Sequence, residues 1–447
     1  MGSCLATLGF GAKSLWDFFA ETSKLESPGK AGGFRGRKKH ILLLFVGLVA
    51  AFQSSNLAAA DKRIVLIAGK MSHGPGDHEF RAGCLLLKKC LDQIPGITST
   101  VHSNGWPSDL GAFDKADAVL IYADGGAGHP AIQGNHRQVL AELVRKGVGL
   151  GFAHYGVEIP STNGGPEFLE WVGGYYEHLY SVNPMWTPEF KSFPTHPVAR
   201  GVKPFSLLDE WYFNLRWKEE PGQADSTVEA AARVRSPRLT PILVAKPSDA
   251  VRDGPYVYPQ GPYKHIQEAK DRPETMMWVY ERPDAGRGFG FTGGHKHVNW
   301  ADDNCRKVVL NALLWIAKAD VPADGAASTV APEELAQNLD PKNDSASFAT
   351  NITGKWNFEV ETPQGTGKPV LSFIHAGQNL IGHYEGRLGE ANLSGSAKGN
   401  TAQWSFKVEF NGQPAAVTYK ATLEGKDRMK GTVALGEFEG TWTAKRE

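Results

Sequence analysis

Of the 14 histidines in this 447-residue chain, several lie in four segments that share a setting, because each segment follows an apolar run that reads as a β-strand. Ser72-His73-Gly74-Pro75-Gly76-Asp77-His78-Glu79 comes directly after Arg63–Ala68, and Asp124-Gly125-Gly126-Ala127-Gly128-His129 follows Ala118–Tyr122. His154-Tyr155-Gly156-Val157-Glu158 follows Val148–Ala153, and Gly293-Gly294-His295-Lys296-His297-Val298-Asn299-Trp300 follows Gly288–Phe291. In an open α/β sheet, ligands collect beyond the carboxyl ends of the strands, so the four segments are placed to converge on one site. Imidazoles grouped with Glu158, Asp124 or Glu79 suit either of two chemistries: a divalent metal such as zinc, with His73, His129 and His154 as first candidates, or acid–base work near neutral pH. The spacing does not choose between them. No His-Glu-x-x-His helix is present, and a pair such as His295-x-His297 is common in loops that bind no metal.

The turn Gly151-Phe152-Ala153-His154-Tyr155-Gly156 has the strand-to-helix form of a nucleophile elbow, with an imidazole where a serine or cysteine would act. A covalent serine or cysteine mechanism is therefore disfavoured, and with it a glutaminase of the amidotransferase type. Asp209-Glu210-Trp211-Tyr212, together with Trp171, Tyr175, Tyr176, Trp186 and Trp300, supplies aromatic faces and carboxylates. Aromatic rings stack on sugars and carboxylates accept sugar hydroxyls, so a small carbohydrate is the expected ligand; packing beneath long loops is the competing role. The candidate catalytic residues are His154, Glu158, Asp124 and Glu210. The candidate substrate contacts are His73, His78, Trp211, Tyr212, His295, His297 and Trp300. Glu158 with Asp209 or Glu210 would make an acid/base carboxylate pair.

The elements that must position these residues follow from the alternation of strand-like and helical runs between Arg63 and Ala319, the pattern of a parallel sheet covered on both faces. Helices are expected over Phe80–Cys90, His136–Lys146 and Asp303–Lys318. Residues 155–290 are rich in Pro, Gly and aromatics and carry few long periodic runs, as irregular excursions over the functional edge would. Composition shifts to Ala, Pro, Asp and Ser over residues 320–350, which reads as a linker. Beyond it Gly354–Val360, Val370–Ile374, Ala402–Phe410 and Ala415–Leu423 alternate with period two between turn glycines, including Gly412 and Gly425. The expectation is an α/β domain over 61–319, a doubly wound and mostly parallel sheet, then a small antiparallel β-barrel or sandwich over 351–447. Trp356, Trp404 and Trp442 are expected in the core of that second domain.

The 48 Lys+Arg balance 48 Asp+Glu, so no basic surplus favours nucleic acid as a partner. Arg35-Gly36-Arg37-Lys38-Lys39-His40 precedes an apolar run from Ile41 to Phe52 and then Ala58-Ala59-Ala60, which reads as a presequence over 1–60 and predicts export to a periplasm or the medium. Membrane contact is expected only through that segment if it stays uncleaved. After its removal Cys84, Cys90 and Cys305 remain, an odd number that indicates no disulfide framework. Composition says nothing about oligomeric state.

As an ordered set, Ser72-His73-Gly74-x-Gly76-x-His78-Glu79-Phe80, Gly125-Gly126-x-Gly128-His129-Pro130, His154-Tyr155-Gly156-Val157-Glu158, Asp209-Glu210-Trp211-Tyr212 and Thr292-Gly293-Gly294-His295-x-His297-x-Asn299-Trp300 resemble the motifs of ThuA-like, or trehalose-utilisation, domains. The resemblance spans about residues 62–318. It implies a flavodoxin-like fold related to class I glutamine amidotransferases but without their Cys-His-Glu triad, and a role in disaccharide or keto-sugar catabolism. Two functions follow as expectations: an enzyme that hydrolyses, eliminates or isomerises a disaccharide, glycoside or keto-sugar, and a non-catalytic carbohydrate-binding protein. The C-terminal unit is similar to small lipocalin-like barrels.

Overall fold

The computed structural model describes residues 61–219, 236–342, 350–363, 365–410 and 413–447; the expected presequence and the turn at Gly412 lie outside the described residues. Seven strands form one sheet: β1 (Lys62–Ala68), β2 (Ile97–His102), β3 (Ala118–Tyr122), β4 (Gly149–Ala153), β5 (Leu239–Ala245), β6 (Glu274–Glu281) and β7 (Arg287–Phe291). Their order across the sheet is β5-β6-β7-β4-β3-β1-β2. The pairs β1–β2, β1–β3, β3–β4 and β4–β7 are parallel, and β6 runs antiparallel to both of its neighbours.

Side-chain alternation makes the sheet two-faced. Ile64, Leu66 and Ala68 of β1 join one apolar cluster, and Val65 and Ile67 join another on the opposite face. Helices α1 (Phe80–Leu91) and α3 (Asp303–Ile316) cover the first face, and α2 (His136–Arg145) covers the second through Leu140 and Leu143. Asp302 caps α3, its carboxylate accepting from the Asn304 and Cys305 amides. Cys84, Cys90 and Cys305 are buried free thiols.

Strands β5 and β6 arise inside the region expected to be irregular. β5 carries Pro241 and shifts register twice, as an edge strand can, so its alternation is broken. β6 is buried along almost its whole length and has no polar face to reveal its period. Among the described residues, the remainder of that region consists of two-residue ladders, turns and short helices, the longest of them Gly165–Trp171. Among the described residues no helix is long and apolar enough to cross a membrane.

Residues 320–342 lie against the α/β domain, with Ala326 and Leu335 buried, Glu334 paired to Lys89, and the Asp340 amide donating to Glu79. The second domain contains β8 (Gly354–Thr362), β9 (Gly365–Gly367), β10 (Val370–Ala376), β11 (Asn379–Gly386), β12 (Gly389–Lys398), β13 (Thr401–Phe410), β14 (Gln413–Leu423), β15 (Arg428–Leu435) and β16 (Phe438–Arg446). β16 pairs back onto β8, so eight long strands close a barrel, with the short β9 folded on β8. Of the two expected forms, barrel and sandwich, the barrel is the one formed. Trp356, Trp404 and Trp442 fill its interior.

Candidate metal centre

Three histidines reach the site from strained turns. His73, His78 and His154 have φ of 57°, 49° and 52°, left-handed values that side chains larger than glycine rarely adopt and that cluster where function over-determines the backbone. His78 lies in the turn between β1 and α1, and His154 is the first residue after β4. His295 follows β7, in a loop held by Asp209, whose carboxylate accepts from the Gly294 and Lys296 amides at 2.8 and 3.1 Å. Glu210 is adjacent to Asp209 in a two-residue ladder with Met185–Trp186. Strand ends therefore bring together residues far apart in sequence.

His78, His154, His295 and Glu210 are all buried, and one donor atom from each lies within 4.8 Å of the others. His78 Nε2 is 2.9 Å from His154 Nε2 and 3.0 Å from His295 Nδ1. Glu210 Oε2 is 2.6 Å from His295 Nδ1 and 3.6 Å from His154 Nε2. Donors bound to one ion at about 2 Å are at most about 4 Å apart, so these four contacts fit a single cation.

The outward nitrogens explain the arrangement. His154 Nδ1 faces the Thr292 carbonyl oxygen at 3.0 Å; a carbonyl only accepts, so Nδ1 carries the proton and Nε2 a lone pair. His78 Nδ1 donates to Asp124 at 2.8 Å, which likewise leaves a lone pair on its Nε2. Two lone pairs thus face each other at 2.9 Å, an arrangement that a cation between them relieves. Outer acceptors that fix the ring tautomer and orient the inner nitrogen are the usual support of histidine–metal sites. Glu210 is aligned in turn by Asn183, whose side-chain amide donates to its other oxygen at 2.8 Å.

Proton affinities divide accordingly. Burial holds His154 down at about 3 against the pull of Glu210, and holds His78 well below the usual histidine range, helped by its imidazole neighbours. For His295 burial is outweighed by hydrogen bonds and charge from Asp77 and Glu210, which raise it to about 10. Without a metal the extra proton of the cluster therefore sits on His295, whose ring faces the Asp77 and Glu210 carboxylates, while His78 and His154 stay neutral. Glu158, less buried, is pushed up to about 7 by burial and by Glu210.

His73 stacks on His78 with ring centroids 3.5 Å apart, and with Asp124 and His78 it forms a second, more exposed donor group. The Tyr212 hydroxyl lies 3.3 Å from His154 Nε2. Four other expected site residues lie elsewhere. His129 is fully buried: it faces the Gly156 carbonyl through Nε2 and accepts from the Ala131 amide through Nδ1, so neither nitrogen is free for a metal and the expected trio His73, His129, His154 does not form. Trp211 packs against Phe190 and Phe291 and donates to the Leu207 carbonyl, and Trp300 packs against Tyr122 and Phe291; both are core residues without a face for substrate. His297 is buried beside Lys342 and the Leu335 backbone, outside the donor set.

The residues that sequence reasoning left out are mostly those that orient the others. Asp77 lies inside the quoted Ser72–Glu79 motif and faces His295 Nε2 at 3.5 Å. Asn183 and Tyr258 sit in the excursions, the Tyr258 amide donating to the Asn183 side chain while its ring is 70% exposed. Asn379 comes from the barrel: it donates to Asp77 at 2.8 Å and accepts from Lys296 at 2.6 Å, so the second domain braces the His295 loop. Gly76, with φ +86°, lets that contact form, since a Cβ there would collide with the Ala376 carbonyl oxygen.

The family model for ThuA, described as trehalose utilisation, matches residues 65–316. Among solved structures, the chain is similar to a putative ThuA-like protein from Bacteroides uniformis at 13% identity, over 60% of this chain and 96% of that one, with a TM-score of 0.38. A redesigned β-barrel matches at 16% identity over 22% of this chain and 91% of its own, with a TM-score of 0.20. No curated protein matches the chain. The family model spans more than half of the chain, and its bounds run from within β1 to the last residue of α3; the chain belongs to the ThuA, or trehalose-utilisation, family.

Proposed function

We propose that this chain is a metal-dependent sugar-processing enzyme that acts on a disaccharide, glycoside or keto-sugar by hydrolysis, elimination or isomerisation. One observation carries the reading: the inward lone pairs of His78 and His154 meet at 2.9 Å while their outer nitrogens are already committed to Asp124 and Thr292. A divalent transition metal such as zinc, held by His78, His154, His295 and Glu210, would supply a Lewis acid for a sugar oxygen.

The protein's own groups provide the rest. Glu158, near half-protonated at neutral pH, is suited to take a proton from a sugar carbon or hydroxyl and to return it to a leaving oxygen. His73 and Asp124 line the more exposed side of the cluster, where they can hydrogen-bond hydroxyls, and the exposed Tyr258 ring offers a stacking face. The sugar class is supported by membership of a trehalose-utilisation family.

The test is turnover of disaccharides, glycosides and their keto derivatives by the purified chain before and after chelation, alongside His154→Ala. Turnover that chelation abolishes, zinc restores and His154→Ala lacks supports the reading. Saturable sugar binding without product would make the chain a carbohydrate-binding protein instead. We further propose export, on the basic-then-apolar segment before Ala58-Ala59-Ala60. Amino-terminal sequencing of the native protein should begin near Asp61, and a retained Met1 would refute export by cleavage.

A further inference from the structure

The two ends of the C-terminal barrel face different surroundings. At one end the turn between β10 and β11 is seated on the site loop, the Gln378 amide donating to the Pro75 carbonyl at 3.1 Å. At the opposite end the strands leave a cavity of about 310 Å³, walled by Val360, Phe410, Val417, Val433, Leu435 and Tyr419. Its floor is an aromatic layer in which Tyr384 stacks on Phe406 and Tyr419 on Trp404, with centroids 4.4 and 5.5 Å apart. At about 30 Å³ per water-sized group the space holds roughly ten heavy atoms, and its volume falls at the small end of ligand pockets. Eight-stranded barrels are wide enough either to be filled by side chains or to hold one small ligand, and this one is filled at one end and hollow at the other.

Two polar features and one apolar feature describe an occupant. The Tyr419 phenol is buried among the residues that line the cavity. At the mouth, the Lys368 ammonium is already paired with Glu359 at 3.2 Å. The Arg387 guanidinium reaches the Thr366 carbonyl at 3.4 Å and meets no carboxylate among the described residues. Phe438 borders the same opening with its ring 44% exposed, an apolar lip in water. We infer that this end of the barrel binds a small amphipathic organic acid of about eight to ten heavy atoms, its acyl or aryl body against Val417 and Leu435 and its carboxylate on Arg387.

The experiment titrates octanoate and 1-octanol into the full chain, followed by calorimetry. Octanoate should bind saturably and at least tenfold more tightly than octanol. Arg387→Ala, at an exposed position, should erase that difference. Leu435→Trp, which fills the mouth, should remove binding of both while the far-ultraviolet circular dichroism stays unchanged. Absence of saturable octanoate binding overturns the inference, as does octanoate affinity undiminished in Leu435→Trp. Equal affinity for acid and alcohol in the wild type refutes the role of Arg387, and that comparison stands even if Leu435→Trp fails to fold.

Discussion

Asp124→Ala tests the support of the metal centre without touching an inner donor. Asp124 accepts the Nδ1 proton of His78 at 2.8 Å and so sets the tautomer that leaves Nε2 free. Loss of such an outer partner weakens metal binding by about 10- to 100-fold. The Asp124 side chain is 35% exposed, so water takes over part of its role, and the lower end, roughly 10- to 30-fold or about 1.4–2 kcal/mol, is the expected effect. Zinc titration in competition with a chromogenic chelator measures this directly. Thermal unfolding gives an independent readout: at free zinc 100 times the wild-type Kd, binding stabilises the wild type by about 2.7 kcal/mol and the variant by about 0.9–1.4 kcal/mol. Asp124→Asn keeps an acceptor oxygen and should recover most of the affinity. Zinc affinity within threefold of wild type in Asp124→Ala would refute the claim that this hydrogen bond sets the ligand tautomer.

Other substitutions separate structural from functional roles. His129→Ala should cost about 2–4 kcal/mol in denaturant unfolding, from a cavity and an orphaned Ala131 amide, while leaving metal content intact; loss of metal would return His129 to the site. Glu158 is a carboxyl raised from its ordinary value to about 7, so the folded state favours its protonated form. In the metal-free protein, stability present below about pH 4.5 should therefore fall as pH rises towards 7, on the order of 3 kcal/mol. Glu158→Gln should remove that slope in urea titrations at pH 5 and pH 8, and an unchanged slope would show that Glu158 is not the group responsible. Gly76→Ala forces a side chain into a left-handed residue facing the Ala376 carbonyl, and should cost about 2 kcal/mol or more and loosen zinc binding through His78. Wild-type behaviour in both assays would mean that the barrel contact does not brace the site.

The parallel sheet was legible because β1, β3 and β4 are short apolar runs separated by helical periods, and the site edge was legible because histidines follow those runs. β5 was hidden by Pro241 and its register shifts, and β6 by burial on both faces. Among the histidines, sequence position located the edge but not the direction of each ring. His129 and His154 both follow sheet strands, yet His129 turns back to the Gly156 carbonyl while His154 turns inward. Trp211 and Trp300 were expected at the ligand because aromatics near carboxylates suit sugars; apolar packing claimed them, as it claims most large rings beneath long loops. Asn183 and Asn379 had no local signal at all, since each acts through a contact across more than 25 residues.

The most direct test of the central claim is elemental analysis of the purified chain, wild type beside His154→Ala, after reconstitution with zinc, manganese, cobalt or nickel and removal of excess ion. The predicted result is close to one metal ion per chain in the wild type and its loss in His154→Ala. A wild-type chain that retains none of the four metals, or a His154→Ala chain that retains as much as the wild type, would contradict the assignment of His78, His154, His295 and Glu210 as a metal centre.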